Sequence, residues 1–466
     1  MKPAVPDWVV EGLPRLNART VLSRGQKLTA LLLALLLALA FAWRPYGTFL
    51  ALNVGMIVLY LVFSYYKLFL QFRAMRSPPG APPPAVAGDE ALPRFSILVP
   101  LYREESALPG LVAHLGSLDY PPEKLQILLL VEEDDAGLRA VAERLRLAPP
   151  FEVLVVPACL PRTKPKACNY GLRQACGDLL VIYDAEDRPE RDQLRKAAAA
   201  FAAAPDSVVC LQARLNFYNR DRNLLTRLFT AEYSAWFDQC LPGLYLLDAP
   251  IPLGGTSNHF RLGTLRQMRG WDAFNVTEDC DLGIRLYILG YRTGILDSTT
   301  WEEATFRVLP WIRQRSRWVK GYIQTWLVHM RQQRVMLRDM GAGRTAQFHL
   351  LFGATFFCLL VNPVYWLMTL LWFTARPAFI SEFFPLWVML AGLVSFIGAN
   401  AAFVLASMLA CLQRRYFHLV PTCLLIPGYW VLMSLGAWKG ALQLIWKPFF
   451  WEKTPHEAQA ALETAP

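Results

Sequence analysis

The chain has 466 residues, of which 54% are hydrophobic, 13% aromatic and 18% charged, against about 25% charged residues in an ordinary soluble protein. The charge deficit excludes a wholly water-soluble chain and points to membrane-length apolar segments, and the length allows two or three folding units. The formal net charge of +10 comes with no zinc finger, RNA-recognition signature or compact basic-aromatic tract, so a nucleic-acid partner is not expected; the Lys and Arg residues crowd beside apolar runs, as membrane topology requires.

Leu28 to Trp43 and Gly47 to Leu70 are apolar runs, the second interrupted only by Lys67. Each is near the ~20 residues a helix needs to cross a bilayer. A long polar start and the immediate second run argue for a transmembrane hairpin over a signal peptide. Arg15, Arg19, Arg24 and Lys27 precede the hairpin and Arg73 and Arg76 follow it, which predicts cytoplasmic flanks. The expected organisation is an N-terminal segment and hairpin over 1–76, then a Pro/Gly/Ala-rich linker over 77–93. A soluble domain follows over 94–307, interfacial helices over 308–347, transmembrane helices over 348–446 and a tail over 447–466. The later spans are Phe348 to Phe373, Phe384 to Leu412 and Leu419 to Trp446. Five crossings leave the C-terminus outside, whereas Lys439, Lys447 and Lys453 favour the inside. Pro427 offers the alternative of a re-entrant or interfacial last segment.

Within the polar part, Phe95 to Pro100, Gln126 to Val131, Phe151 to Val156 and Asp178 to Tyr183 read as buried strands. Helical patterns at Leu108 to Leu118 and Ala136 to Leu147 fall between them. Alternating strand and helix predicts a mostly parallel sheet covered on both faces. Ligands bind beyond the carboxyl ends of such strands, where Leu101 to Glu105, Glu132 to Asp135 and Asp184 to Asp187 converge. The nine Cys show no C-x-x-C and read as small buried residues, neither disulfide framework nor metal cluster.

A diphosphate leaving group needs its charge neutralised, and Mg2+ or Mn2+ held by a few carboxylates does this. Asp184 and Glu186, two residues apart at a strand end, are the candidate ligands, with Asp187 a third; Asp187 alone would also suit a helix cap ahead of Pro189. Lys164, Lys166 and Asn169 stand at a helix start, where lysines serve an anionic phosphate better than the helix dipole. Thr277, Glu278 and Asp279 open an amphipathic helix. Asp279 is the candidate general base for a hydroxyl nucleophile, with Glu278 beside it. Gln314, Arg317 and Trp318 precede the third span; Arg317 suits a diphosphate and Trp318 the flat face of a sugar ring, although a basic juxtamembrane helix with an interfacial Trp reads similarly.

With these elements in this order, the chain resembles the processive family 2 glycosyltransferases: cellulose, curdlan, chitin and hyaluronan synthases and bacterial exopolysaccharide relatives, including the transferase portion of phage-adsorption inner-membrane proteins. That family carries spaced aspartates, a T-E-D triplet and a Q-x-x-R-W motif. Here the last two stand as Thr277-Glu278-Asp279 and as Gln314, Arg317 and Trp318. The resemblance implies an α/β GT-A fold, a Rossmann-like and mostly parallel cytoplasmic domain joined to an α-helical transmembrane region. It implies a metal-dependent, inverting hexosyltransferase with a UDP-sugar donor, Mg2+ or Mn2+, and a growing polysaccharide or lipid acceptor. The expected location is a bacterial inner membrane, with membrane lipid around the spans and envelope export partners. By carry-over, Glu132 and Asp134 lie near the uridine and Lys166 and Asn169 near the diphosphate, and Gly254 to Asn258 meet the acceptor end. The family's D-x-D is here Asp184-Ala185-Glu186, and its Asp-Asp-Gly is replaced by Glu132 to Asp135. Two alternatives stand beside a processive synthase: transfer of one sugar to a lipid carrier, and a non-catalytic subunit of an envelope secretion or phage-adsorption complex.

Overall fold

The computed structural model describes residues 17–77, 88–377, 380 and 384–452. Most of the expected linker (78–87) and most of the expected tail (453–466) lie outside the described residues.

Two long helices come first, α1 (Arg24–Trp43) and α2 (Pro45–Arg76). Ser23 caps α1 in a reciprocal box with Gln26, satisfying two of the orphan N–H groups of the first turn. The sheet domain then runs β1 (Phe95–Leu101), α3 (Leu108–Leu115), β2 (Leu125–Glu132), α4 (Ala136–Arg144), β3 (Phe151–Val156), α5 (Lys164–Gln174), β4 (Leu179–Ile182) and β5 (Arg188–Pro189). It continues with α6 (Gln193–Ala203), β6 (Val208–Phe217), α7 (Leu224–Ala235), α8 (Leu241–Leu246), β7 (Asn258–Arg261), α9 (Leu262–Gln267), α10 (Glu278–Ile288) and β8 (Arg292–Glu302). The remaining helices are α11 (Val308–Met330), α12 (Gln333–Asp339), α13 (Gly341–Phe348), α14 (Thr355–Thr374), α15 (Leu386–Gln413) and α16 (Ile426–Trp446).

The four expected strands are β1 to β4, within two residues at each end. They pair in parallel as β3-β2-β1-β4. The sheet is nevertheless eight-stranded, in the order β3-β2-β1-β4-β7-β6-β8-β5. β7 runs antiparallel to β4 and β6, and β5 antiparallel to β8, so the sheet is mixed. One face carries Phe95, Ile97, Val99, Ile127, Leu129 and Val131 against α3, α4 and α6. The other carries Leu98, Leu128, Leu130 and Ile182 against α5, α7, α8 and α10. Burial on both faces explains why these strands are unbroken Val/Ile/Leu runs.

The second core includes Leu70 of α2, which has no exposed surface. Gly243 of α8 makes this approach: a Cβ there would stand 2.3 Å from the Leu70 carbonyl oxygen. The end of α2 is thus part of the sheet domain's own core.

Five segments are long and apolar enough to cross a membrane: Arg24–Trp43, Pro45–Arg76, Gly341–Thr374, Leu386–Gln413 and Phe417–Trp446. The first is held at α11, where Gln26 Nε2 donates to Leu327 O, and the next three at the sheet domain, through buried Leu70, the Arg344–Asp248 pair and the Arg414–Asp238 pair. At the far end, the rings of Phe49 and Phe384 meet edge-on at 5.6 Å.

α16 differs, because it lies along α11 in the same direction. Its start meets α11 where Trp311 and Tyr429 stack at 4.8 Å. Gly436 and Gly440 then let the backbones touch, since Cβ atoms there would stand 2.9 Å from Arg315 Cβ and 2.4 Å from Ser316 O. Its end is held by Lys320 Nζ, which donates to Phe450 O at 2.8 Å, and by Gln324 Nε2, which donates to Pro448 O at 3.0 Å. Both ends of α16 therefore lie on α11. Pro427 does not break the helix; it occupies the first turn, where a missing N–H costs nothing.

Candidate active site

Three strand ends meet at one edge of the sheet. After β4 the chain turns through Asp184 to Asp187. Asp187 is buried, and its Oδ2 accepts the Asp184 N–H at 2.7 Å and the Thr256 hydroxyl. It therefore fastens the turn, which leaves Asp184 and Glu186 lining the open side. After β2, Glu132 and Asp134 also line that side. Asp135 caps α4 by accepting from Leu138 N at 3.2 Å, and Glu133 accepts from Ala158 N at 2.9 Å.

α5 begins at Lys164, as the sequence suggested. The Lys164 ammonium donates to Asp184 Oδ1 and to Gly255 O at 2.6 Å. Burial works against its charge, but Asp184 and Glu278 outweigh it and raise its pKa. Gly255 belongs to the loop before β7, where Ser257 takes a positive φ of 56°. That strained residue is fixed by its N–H to Ile182 O at 2.8 Å and its hydroxyl to Thr300 Oγ1 at 2.6 Å. The loop consequently presents Gly254 and Gly255 to the carboxylates; a Cβ on Gly255 would stand 3.4 Å from Asp279 Oδ2.

Glu278 and Asp279 form the first turn of α10, whose unpaired N–H groups favour acidic residues. Asp279 Oδ1 accepts from Cys280 N at 2.7 Å. Burial raises the Asp279 pKa to about 6, against the Cys280 N–H, Lys164 and Arg317. Glu278 is pushed up to about 8, first by burial and then by Asp279.

α11 closes the site. Gly321 brings it against the Thr277 side chain, where a Cβ would come within 2.3 Å of the Thr277 hydroxyl oxygen. Gln314, Arg317 and Trp318 line the cavity on this side. The Arg317 guanidinium lies 4.4 Å from the centre of the Trp451 ring, and its Nε is buried without a hydrogen-bond partner among the described residues. Arg315 also lines the cavity, but its guanidinium is taken up by other side chains. It pairs with Glu232, donates to Tyr429 OH at 2.9 Å, and is stacked on Phe229, Trp311 and Trp318.

Glu132, Asp134, Lys164, Asp184, Glu186, Glu278, Asp279, Gln314, Arg317 and Trp318 thus line a single cavity of about 2030 Å³. Lys166, Asn169 and Asp187 are not among its lining residues. Lys166 is fully buried and paired with Glu132 at 2.5 Å. Asn169 uses both ends of its amide on the Trp271 backbone, at 2.7 and 2.9 Å. Asp187 fastens the turn. Among the lining residues that the sequence left unassigned are Glu302 and Trp451. Glu302 ends β8, and an acidic pair at a strand end would have signalled it. Trp451 lay in the stretch read only as a tail over 447–466.

A divalent cation fits this site in one way. Among the described residues no group of three or more His, Cys, Asp or Glu is gathered to hold a metal ion. Mg2+, however, typically takes only one or two carboxylates beside substrate phosphates, and Asp184 and Glu186 face the cavity. Carboxylates crowd here: Asp187, with one buried carboxylate oxygen lacking a hydrogen-bond partner among the described residues, and Glu302 are both held well above the usual carboxylate range by burial and by neighbouring carboxylates.

Residues 179–432 match the family model described as "Glycosyl transferase family group 2". The chain is 29% identical over 268 residues to the beta-monoglucosyldiacylglycerol synthase of Synechocystis sp. (strain ATCC 27184 / PCC 6803 / Kazusa), covering 56% of this chain and 54% of that protein. It is 26% identical over 235 residues to the probable glycosyltransferase YdaM of Bacillus subtilis (strain 168), covering 49% and 55%. Against the cellulose synthase 1 catalytic subunit of Komagataeibacter xylinus it is 28% identical over 275 residues, covering 57% and 36%. The matched part is thus about half, or less, of each of these relatives' length. Among solved structures, a mannosyltransferase from Pyrobaculum calidifontis shares the fold at a TM-score of 0.52 and 18% identity, covering 85% of this chain and 99% of that one. The mixed sheet is of the GT-A kind, and the chain belongs to glycosyl transferase family group 2.

Proposed function

We propose that this protein is a membrane-embedded, inverting hexosyltransferase that moves a sugar from a UDP-sugar to an acceptor hydroxyl at the membrane surface. The supporting observation is that Asp184, Lys164, Asp279 and Arg317 converge in one cavity that continues between the membrane-length helices. Asp279, its carboxyl raised to about 6 by burial, takes the proton from the acceptor oxygen as that oxygen attacks the anomeric carbon. The bond to the diphosphate breaks in the same displacement, and the electron pair leaves with UDP. Lys164 and Arg317 offset the charge that develops on the leaving group. Asp184 and Glu186 would hold Mg2+ or Mn2+, which supplies further neutralisation of the diphosphate. The solved mannosyltransferase contains GDP-Man and Mn2+, which supports a nucleotide-sugar donor and a divalent cation.

The sheet domain is proposed to face the cytoplasm of a bacterial cell, with α1, α2, α14 and α15 crossing the inner membrane and α16 at the interface. That count returns Lys439 and Lys447 to the side of Arg73 and Arg76, as the positive-inside rule asks. A processive polysaccharide synthase is the second reading, favoured by the cellulose synthase likeness.

The test is UDP release by the purified full chain, with UDP-glucose, UDP-N-acetylglucosamine and UDP-galactose each supplied with Mn2+ or Mg2+. Release from at least one donor, lost with EDTA and restored by metal, is expected. No release from any UDP- or GDP-sugar sinks the proposal.

A further inference from the structure

The cavity does not end at the sheet. Beyond Asp279 it continues between α2, α14 and α15 as far as Asn53. Residues 53 to 71 of α2 span about 27 Å, close to the ~30 Å of a bilayer's hydrocarbon core.

Its walls differ in character. On α2, Asn53, Tyr60, Ser64, Lys67 and Gln71 line it at helical spacing, a polar stripe on an otherwise apolar helix. Gln71 and Asn53 are 5% and 4% exposed, and among the described residues Gln71 Oε1 and Asn53 Nδ2 have no hydrogen-bond partner. Buried polar atoms of that kind are costly unless something meets them. The opposite wall is Leu370 and Phe373 of α14 with Leu386, Leu390, Leu393 and Phe396 of α15. These residues line the cavity and are still 52% to 70% exposed. α14 packs on α16, whereas α15 packs on α2 and α7, so two consecutive helices flank a sideways slit at membrane depth.

A hydrated glycan cannot rest in such a slit, because its hydroxyls would face hydrocarbon. A molecule with acyl chains and a polar head matches both walls. The carboxylate floor narrows the head group further. A phosphate oxygen is already deprotonated and needs no base. A neutral hydroxyl needs the base that Asp279 provides.

We infer that the acceptor is a neutral glycerolipid with a free hydroxyl, of the diacylglycerol type. It enters sideways between α14 and α15, lays its chains on Leu390, Leu393 and Phe396, and offers its head to Gln71 and Lys67 on the way to Asp279. The inference rests on the glycosyl-transfer reading above. In the step, the lipid oxygen bonds to the anomeric carbon, the carbon–oxygen bond to the diphosphate breaks, the electron pair leaves with UDP, and the hydroxyl proton passes to Asp279.

The experiment uses the full chain in nanodiscs doped with dioleoylglycerol and labelled UDP-sugars. The label is expected in the chloroform phase on a lipid carrying one sugar, at a rate that follows the mole fraction of dioleoylglycerol in the disc. Leu393→Trp, which fills the slit, should slow this transfer about tenfold. Gln71→Ala should raise the apparent KM for dioleoylglycerol about fivefold, with kcat changed less. If Leu393→Trp fails to fold, the mole-fraction dependence of the unaltered protein decides. Label in a lipid-free or high-molecular-weight glycan overturns the lipid inference and leaves the transferase reading standing. Absence of UDP release from every donor overturns both.

Discussion

Replacing Asp279 by Asn removes the proposed base and little else. The Asn side-chain oxygen can still accept from Cys280 N, as Asp279 Oδ1 does at 2.7 Å, so the first turn of α10 keeps its shape. A positioned general base contributes about 10²–10⁴-fold, and each factor of ten is about 1.4 kcal/mol of barrier. Asp279→Asn should therefore lower kcat by at least about 100-fold while UDP binding, measured by calorimetry, stays within a few-fold. The pH profile adds a signature. Burial holds the Asp279 carboxyl at about 6, and the base works only when deprotonated. The unaltered enzyme should lose activity about tenfold per pH unit below that value, and the variant's residual activity should lack this acid limb. Stability moves in the opposite sense. A carboxyl whose pKa is raised on folding, from 3.8 to about 6, contributes stability that is present in acid and lost as pH rises through about 6. At neutral pH the charge thus costs up to about 3 kcal/mol, and Asp279→Asn should melt at a higher temperature at pH 7.5, with the difference shrinking towards pH 4. A variant that transfers sugar at the normal rate, or retains the acid limb, refutes the assignment.

Lys164→Ala should raise the pH at which the acid limb falls, because Lys164 lowers the Asp279 and Glu278 pKa values; a limb that stays put or moves down would refute that electrostatic role. Breaking the Arg315–Glu232 pair with Arg315→Met alone should cost about 3–5 kcal/mol, whereas Arg315→Met with Glu232→Gln should cost markedly less, as thermal unfolding in detergent would report. Gly440→Leu places a side chain where a Cβ already stands 2.4 Å from Ser316 O, so α16 should shift away from α11, with a loss of about 1–3 kcal/mol and reduced activity; an unchanged melting temperature would contradict the packing.

What could be read from the sequence follows physical lines. β1 to β4 were legible because strands buried on both faces must be continuous Val/Ile/Leu runs. β6 was not, since its buried residues include Gln212, whose amide is satisfied only by Gly254 N, Ala213 O and Thr256 O. A polar residue met by partners dozens of positions away looks like a loop residue in the sequence. β5 has two residues and β7 has four, too few for any period to show. At the site, acidic clusters at strand ends announced themselves, but not which oxygen faces inward. Asp187 looks as suited to a metal as Glu186 until the Thr256 hydroxyl claims it. Lys166 and Asn169 were assigned to phosphate because Glu132 and Trp271, which use them, lie 34 and 102 residues away. The seating of α16 on α11 was hidden as well, because Gly436 and Gly440 make it and neither belongs to an apolar period.

The contact between Gly243 and Leu70 bears on how such a protein is inherited. A soluble catalytic module joined by a tether to an anchor can be exchanged between genes, because each half folds without the other. Here the last turns of α2 fill part of the sheet domain's interior, so severing the two would leave a hole lined by α8 where Leu70 had been. Recombination at that boundary would deliver a damaged sheet domain. Helix α2 and the sheet domain are therefore expected to pass down lineages as one indivisible unit.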